Sequence, residues 1–482
     1  MTADPTTHRS QHVARPGSAS RCALLVGVVL AWVQPAPARA AEATEPANAA
    51  SATTAPLPVE SDDRRALRAL GRSLPRHGLL PLESPSLDAD DAAWVKYAKK
   101  LVQTFAPESM KRDAKAALLE QRPLSGAIEP LVPRHRRYKA LQALLEVYAR
   151  QMGASTEPIP AAWYKVKAGI TAPEVALLRD RLRVEGYGDE GVQGRLREYF
   201  DDRLKRALQA WQKDHGLART SSLDPQTLTQ LNAPITLPVA DVALALQRFR
   251  ALDLRRDDGR QLLVHINAFA LVAERNGSPE LAMPVVVGKN TEKDRTPRMS
   301  TRLETVIANP SWAVPQRIVE EKLRPGAKDI PEMLIDKGYE VTVDATGKWR
   351  VRMGPGPDNP LGKLKFLLDG TNGVYLHDTN TRSAFAKDER SLSHGCVRVS
   401  DPMGLARWVL PGRELDLEEA VTYTSLSTSF GAGDLPTHLM YQTALVEDGR
   451  LVRFPDVYGL DPAELANFDA HALARAVRAL GN

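Results

Sequence analysis

Two histidines and a cysteine, His377, His394 and Cys396, lie close together in the segment 373–399. A cysteine attacks a carbonyl as the thiolate, and an ordinary thiol pKa of about 8.5 leaves little thiolate at neutral pH. An imidazole beside the sulfur can accept its proton. The segment therefore predicts a nucleophilic cysteine with one of the two histidines as its base.

The surrounding residues favour His377 as that base. The apolar run 373–376 predicts a short buried strand, which places His377 at a strand end facing a cleft. The polar segment that follows is expected to loop out, and a second strand over 393–399 is expected to bring Cys396 within hydrogen-bond reach of the imidazole. His394 would project parallel to the thiol from the same strand, which gives it a supporting role.

The residues beside the nucleophile predict how a substrate is held. Gly395 has no side chain, so backbone N–H groups can approach a developing oxyanion. Arg398 falls on the face of Cys396, because side chains alternate along a strand, and it is a candidate to bind a substrate carboxylate. We assign oxyanion or substrate-positioning roles to His394, Gly395, Arg398 and Tyr375.

Two other interpretations of these residues stay open. A single cysteine is often an inert core residue, and a single histidine is often a satisfied core or surface group. His377, His394 and Cys396 could also hold a catalytic zinc together with a water. Against zinc, the chain has no compact ligand pair such as HExxH, and two ligands one residue apart on a strand fit a tetrahedron poorly. We expect neither a metal nor a cofactor.

The block HDT at 377–379, followed by SHGCVRV at 393–399, resembles the catalytic signature of the L,D-transpeptidases, bacterial cysteine enzymes with a YkuD-type domain that cross-link peptidoglycan. Further blocks resemble the long, multi-domain Gram-negative branch of that family: 287–289, 309–315 and 354–362. In the family the upstream histidine is the base and the cysteine is the nucleophile, which maps onto His377 and Cys396. Relatives in this branch often have a serine at the position of His394.

The resemblance implies a reaction and its partners. It implies a periplasmic enzyme that takes tetrapeptide stems of peptidoglycan as donors, forms a thioester on Cys396, and passes it to the side-chain amine of a diamino acid in a 3→3 cross-link. It also implies acylation by carbapenems. The alternatives are an L,D-carboxypeptidase, attachment of a lipoprotein to peptidoglycan by the same site, and a wall-binding protein without activity.

Composition is ordinary for a globular chain of two or three domains. The 482 residues are 43% hydrophobic and 26% charged, with a formal net charge of +5. Basic runs interleaved with aromatic residues do not occur in the sequence, so we expect no nucleic-acid partner.

The first 40 residues predict a cleavable export signal. Three arginines precede an apolar run over 22–33, and Ala-Arg-Ala at 38–40 supplies small residues for cleavage. Removal of this leader would remove Cys22 and leave Cys396 alone. A single cysteine in an oxidising compartment favours a chemical role over packing. An uncleaved inner-membrane anchor is the alternative.

Hydrophobic periodicity predicts a multi-domain α+β protein. Helical spacing dominates up to about residue 254, and alternation such as Leu262, Val264 and Ile266 follows it. The predicted units are a signal peptide (1–40), a disordered linker (41–61), a helical scaffold (62–170), a small helical peptidoglycan-binding-like domain (171–234), a β-rich catalytic domain (235–460) with a partly helical insertion (about 316–353), and a helical tail (461–482). The insertion is expected to form either a lid or a solvated surface helix.

Overall fold

The computed structural model of the chain describes residues 59–480, apart from short gaps. The gaps are 109, 153–156, 164–165, 189–190, 235, 255–258, 324–331, 372, 423–425 and 467. The predicted signal peptide and nearly all of the predicted linker lie outside the described residues. Within the described ranges, no helix is both long enough and apolar enough to span a bilayer.

The helices are α1 (Ser61–Arg72), α2 (Asp91–Phe105), α3 (Arg112–Ala117), α4 (Leu124–Ile128), α5 (Arg136–Gln151), α6 (Pro173–Val184), α7 (Asp202–Asp214), α8 (Pro225–Leu231), α9 (Thr236–Ala251), α10 (Gln316–Ile318), α11 (Glu332–Asp336), α12 (Pro402–Val409), α13 (Glu414–Thr422), α14 (Asp461–Leu465) and α15 (Ala470–Ala479). The strands are β1 (Arg260–His265), β2 (Ala270–Arg275), β3 (Ser278–Gly288), β4 (Met299–Ala308), β5 (Trp312–Ala313), β6 (Tyr339–Val343), β7 (Trp349–Met353), β8 (Leu364–Leu368), β9 (Tyr375–His377), β10 (Ser391–Ser393), β11 (Val397–Val399), β12 (Thr428–Met440), β13 (Ala444–Glu447) and β14 (Arg450–Arg453).

Helices α1 to α4 enclose an apolar core of their own. Trp94, Leu101 and Phe105 on α2 are fully buried in it. The Asp63 carboxylate on α1 accepts hydrogen bonds from the backbone N–H groups of Leu124 and Ser125, both at 2.7 Å. A carboxylate at this position satisfies amides that the first turn of α4 leaves unpaired, so it ties α1 to α4.

Helix α5 carries the apolar stripe predicted from its spacing, and Tyr138, Leu141 and Leu145 are buried along it. This helix packs with α9, α15 and the β13–β14 hairpin in a second core. Helices that are distant in the sequence, α5 and α15, therefore pack together in one core.

Helices α6 to α8 form the small helical unit predicted before residue 234. Val175, Leu178 and Leu182 of α6 are buried against Leu208 and Trp211 of α7. Pro225 begins α8, where the missing N–H of proline costs no helical hydrogen bond.

The strands of the main sheet run in the order β10-β3-β11-β9-β8-β4-β12-β1-β2. Because β3 also pairs with β2, the strands from β3 to β2 form a closed sheet, and β10 pairs with β3 at its edge. Strand β1 is buried on both faces: Leu262 and Val264 belong to the core beneath α12 and α13, and Leu263 belongs to the core of α5 and α9. A helical N-terminal region followed by a β-rich catalytic domain confirms the predicted fold class.

The predicted insertion is partly helical, as expected, and also contains a sheet that the sequence did not predict. Strands β5, β7 and β6 pair in that order, and α10 continues into a π-helical turn over Val319–Leu323. Val319, Leu334 and Trp349 form a separate apolar cluster inside it. The insertion therefore has a small core of its own.

Candidate active site

Strands β9 and β11 carry the predicted residues Tyr375, His377 and Arg398, and β8 lies beside β9. Strand β9 pairs antiparallel with β8 and parallel with β11, so that Lys365, His377 and Arg398 lie side by side in register. Leu376 and Val397 are fully buried in the sheet core. Since side chains alternate along a strand, Tyr375, His377 and Arg398 project from the opposite face. We call this surface the catalytic face.

The prediction of one continuous strand over 393–399 is wrong. The chain forms β10, turns through His394, Gly395 and Cys396, and begins β11 at Val397. Gly395 adopts a φ of +112°, which a residue with a Cβ avoids, and this conformation ends the extended chain. Strand alternation therefore does not place the His394 ring parallel to the thiol.

Side-chain hydroxyl groups hold the turn that carries the nucleophile. The Ser393 hydroxyl donates to the Cys396 carbonyl at 2.5 Å and accepts from the Gly395 N–H at 3.2 Å. The Thr296 hydroxyl donates to the Gly395 carbonyl at 2.9 Å and accepts from the Gly288 N–H at 2.9 Å. The Gly395 N–H is therefore engaged within the turn, and Gly395 contributes to the site through its backbone conformation.

The Cys396 thiol is partly exposed and lies 3.6 Å from the Gly373 carbonyl oxygen, to which it donates. Burial raises the pKa of the thiol, against the opposing effects of Tyr375, Lys365 and Arg398. The sulfur therefore carries its proton in the resting enzyme. A base must remove this proton as the sulfur attacks.

His377 is buried, and one of its two ring nitrogens has a fixed partner. Its Nδ1 lies 2.5 Å from the Asp378 carbonyl oxygen. A carbonyl can only accept, so Nδ1 donates and the lone pair resides on Nε2. Burial, assisted by the charges of Arg398 and Lys365, lowers the pKa of His377 to about 3. The imidazole is therefore neutral and able to accept a proton.

The sequence predicted a hydrogen bond between Cys396 and His377. Both residues are described by the structure, and they do not form this bond. The thiol is directed to the Gly373 carbonyl, and Tyr375 contacts both groups. The Tyr375 ring packs at 5.5 Å, edge to face, against the His377 ring, and the pKa of Cys396 responds to both the backbone and the hydroxyl of Tyr375. The two reacting groups share the catalytic face without a direct bond.

His394 lies in different surroundings. Partial burial lowers its pKa, and the charges that act on it belong to Lys322, Asp294 and other residues outside the catalytic face. Asp294 in turn pairs with Arg317 of α10 at 2.6 Å. His394 therefore faces the insertion. The zinc alternative lacks a ligand set, because no three His, Cys, Asp or Glu side chains converge within the described part of the chain.

Sequence reasoning missed Lys365. Its Nζ lies 4.0 Å from the centre of the Tyr375 ring, and its strand neighbour is His377. The signal that could have found it is a single cation inside the apolar run LKFLL of β8. Strand β5, which pairs with β7 of the insertion, also interacts with the catalytic face, because a hydrogen bond with Trp312 lowers the pKa of Tyr375 against the effect of burial.

Two family models match this chain. Residues 259–417 match the L,D-transpeptidase catalytic domain. Residues 171–231 match the model described as "Putative peptidoglycan binding domain". The first match contains the whole catalytic face, and the second contains α6, α7 and α8.

A protein of Haemophilus influenzae described as "Putative L,D-transpeptidase" is 30% identical over 295 residues, which cover 54% of this chain. The chain spans 58% of that relative's length. Similar solved structures include an L,D-transpeptidase of Xylanimonas cellulosilytica (18% identity, 59% of this chain and 100% of that one, TM-score 0.17) and L,D-transpeptidase 1 of Mycobacterium tuberculosis (16% identity, 38% and 62%, TM-score 0.19). The assignment of the two domains depends on the family models.

Proposed function

We propose that this chain is a periplasmic L,D-transpeptidase that forms 3→3 peptidoglycan cross-links through a thioester on Cys396, because residues 259–417 match the L,D-transpeptidase catalytic domain. The observation that carries the proposal is a partly exposed thiol on the same face as a buried, neutral imidazole whose Nε2 is the free acceptor. A peptidoglycan-binding domain in the same chain supports the choice of substrate.

In the first step His377 acts as the base and Cys396 as the nucleophile. The thiol proton passes to Nε2 while the sulfur bonds to the carbonyl carbon that follows the L-centre of the donor's diamino acid. The C–N bond to the terminal D-alanine breaks, and the imidazolium returns the proton to the departing amine. Catalytic hydrogen bonds are often loose before substrate binds, so we expect the thiol to turn from the Gly373 carbonyl towards Nε2 in the substrate complex.

In the second step the side-chain amine of a second stem attacks the thioester. The amine loses a proton to His377, the C–S bond breaks, and the sulfur regains a proton. Water in place of the amine would make the same site an L,D-carboxypeptidase, and a lipoprotein amine would attach that protein to the wall. We place Tyr375 and Arg398 at the substrate and give Gly395 the role of shaping the turn that presents the sulfur.

The cellular location follows from the substrate. The two matched family models describe peptidoglycan cross-linking and peptidoglycan binding, which supports a location in the cell envelope. We propose the periplasm, with export by the leader over residues 1–40.

The proposal is tested with purified protein and disaccharide-tetrapeptide as both donor and acceptor. We expect release of D-alanine and a dimer whose fragmentation identifies a bond between two diamino acids. Monomeric tripeptide without dimer would identify a carboxypeptidase. Absence of D-alanine release, together with absence of a carbapenem adduct on the protein, would support a wall-binding protein without activity and contradict the proposal.

A further inference from the structure

Two cations flank His377 on the catalytic face. Lys365 is its neighbour on β8 and Arg398 is its neighbour on β11. Residues paired in register on adjacent strands lie about 5 Å apart at their Cα atoms. Both side chains also act electrostatically on the Cys396 thiol. The nucleophile and its base therefore face the same pair of positive charges.

Neither cation has a carboxylate partner within the part of the chain that the structure describes. Arg398 is half-buried, and its Nε has no hydrogen-bond partner. Lys365 contacts the face of the Tyr375 ring. Burial removes water from a cation, and without a counter-ion no interaction compensates for this desolvation cost.

Two buried arginines elsewhere in this chain have carboxylate partners. Arg248 lies 2.7 Å from Asp461 and 2.9 Å from Glu464. Arg179 lies 3.0 Å from Asp201. The two cations of the catalytic face have no carboxylate of this kind among the described residues, which leaves them available to the anion of a ligand.

The position of the cations identifies which carboxylate they would meet. The proposed reaction requires the nitrogen of the departing D-residue to approach His377 Nε2, because the imidazolium protonates it. The carboxylate of that residue is attached one carbon from this nitrogen. It therefore falls beside the imidazole, between the side chains that flank His377.

We infer that Lys365 and Arg398 together form a subsite for the free carboxylate of the terminal D-residue, and that this subsite selects donors whose scissile bond is the last in the stem. This inference rests on the proposed function. It extends the role of Arg398 expected from the sequence, and it assigns Lys365 a role that the motif does not indicate.

The test compares three donors: the disaccharide-tetrapeptide, the same compound with its terminal D-alanine carboxylate converted to an amide, and the same compound with the side-chain carboxylate of the diamino acid converted to an amide. For the wild type we expect kcat/KM for release of the D-residue to be about 100-fold lower with the first amide, because charge-assisted hydrogen bonds to two cations are lost. We expect little change with the second amide.

Lys365→Met should lower kcat/KM for the donor with a free terminal carboxylate and leave kcat/KM for the terminal amide almost unchanged. The preference, which is the ratio of these two values, should therefore fall from about 100-fold to below about 10-fold. Lys365→Arg keeps the charge and should retain most of the preference. The matched control is Lys363→Met, which removes one positive charge from an exposed position just before β8 and should keep the full preference. Because the preference is a ratio, loss of correctly folded protein does not alter it.

The outcomes separate this inference from the proposed function. If the wild type releases no D-residue from any donor, the proposed function fails. If turnover is normal but Lys365→Met keeps the full preference, the subsite is wrong while the function stands. The assignment would also be overturned if Lys363→Met lost the preference to the same extent as Lys365→Met. It would be overturned as well if kcat/KM fell with the amide of the diamino acid's side chain and not with the terminal amide.

Discussion

The catalytic face and the junction between the peptidoglycan-binding domain and the β13–β14 hairpin both contain a buried histidine, and the two differ in how its nitrogens are used. At the junction, His215 Nδ1 donates to the Trp211 carbonyl at 2.8 Å, and Nε2 lies 2.9 Å from Glu185 and 2.5 Å from Arg453. On the catalytic face, only Nδ1 of His377 has a partner among the described residues. A histidine with both nitrogens occupied joins elements, whereas one with a free acceptor can move a proton.

The cations of the two regions differ in the same way. Arg453 lies 2.9 Å from Asp241 at the junction, and Arg450 lies 4.0 Å from Asp214. Among the described residues, Lys365 and Arg398 have no carboxylate partner. The cations of the junction are therefore neutralised within the chain, whereas those of the catalytic face are not.

The largest expected effect is that of Cys396→Ala, which removes the nucleophile from the catalytic face. We expect cross-link formation to fall by at least about 10³-fold, because no other group on that face can form an acyl-enzyme. Liquid chromatography of the muropeptides produced measures the loss. Pelleting with isolated peptidoglycan should show unchanged binding, and residual turnover near the wild-type level would refute the role of Cys396.

The next effect is that of His377→Ala, which should slow acylation by about 10²- to 10⁴-fold, as expected for loss of a general base. Single-turnover release of D-alanine measures it. His394→Ala is the comparison: it should slow the same step by less than about 10-fold, because the charges that act on His394, such as those of Lys322 and Asp294, lie outside the catalytic face. If acylation slowed more in His394→Ala than in His377→Ala, His394 would be the base and His377 the supporting residue.

The pH dependence of acylation sharpens this assignment. Burial lowers the pKa of His377 to about 3, so the imidazole stays neutral as the pH falls from 7 to 5. We expect kcat/KM for acylation to change little over this interval in the wild type. A decline with an apparent pKa near 6.5 would show that the base is an ordinary, solvated histidine.

Arg453→Met tests the junction instead of the catalytic face. Removing one partner of this partly buried ion pair should lower the free energy of unfolding by about 1–3 kcal/mol, because the Asp241 carboxylate loses its counter-ion. Thermal unfolding reports the change, while the rate of acylation per active site should stay the same. Arg350→Met, at an exposed ion pair with Asp344, is the control and should leave the melting temperature unaltered. A loss of acylation in Arg453→Met would couple the two regions.

The smallest effect concerns stability at acid pH. Burial lowers the pKa of His265 from 6.5 to about 4, so the unfolded chain binds a proton between these values and the folded chain does not. The contribution of this group to the free energy of unfolding is complete above pH 6.5 and is lost as the pH falls towards 4. At pH 5 the free energy of unfolding is about 2 kcal/mol lower than at neutral pH because of this group. His265→Gln should therefore show a smaller drop in melting temperature between pH 7 and pH 5. His471→Gln, at an exposed position of α15, should show the wild-type drop.

Local patterns predicted the parts of the fold that local physics determines. The stripe of α5, the start of α8 at Pro225 and the strand ending at His377 follow from side-chain periodicity and from the missing N–H of proline. The motif placed His377 and Cys396 on one face although 19 positions separate them in the sequence. The separate sheet of the insertion was missed, because short strands broken by turns carry little periodic signal.

The details that escaped prediction depend on contacts between distant segments. Gly395 was expected in a strand, and the turn it makes is held by hydrogen bonds with the side chains of Ser393 and of the distant Thr296. Lys365 was missed because its position beside His377 depends on the pairing of β8 with β9, which no local pattern reveals. The direction of the thiol, towards the Gly373 carbonyl and not the imidazole, likewise depends on tertiary packing.

The central claim is that Cys396 becomes covalently acylated by a peptidoglycan stem. Rapid quenching of the enzyme with disaccharide-tetrapeptide, followed by intact-mass measurement and peptide mapping, tests it most directly. The account predicts a mass increase equal to the donor less D-alanine, located on the peptide that contains Cys396 and lost on treatment with hydroxylamine. D-alanine release without any adduct in wild-type protein, or an adduct on another residue, would contradict it.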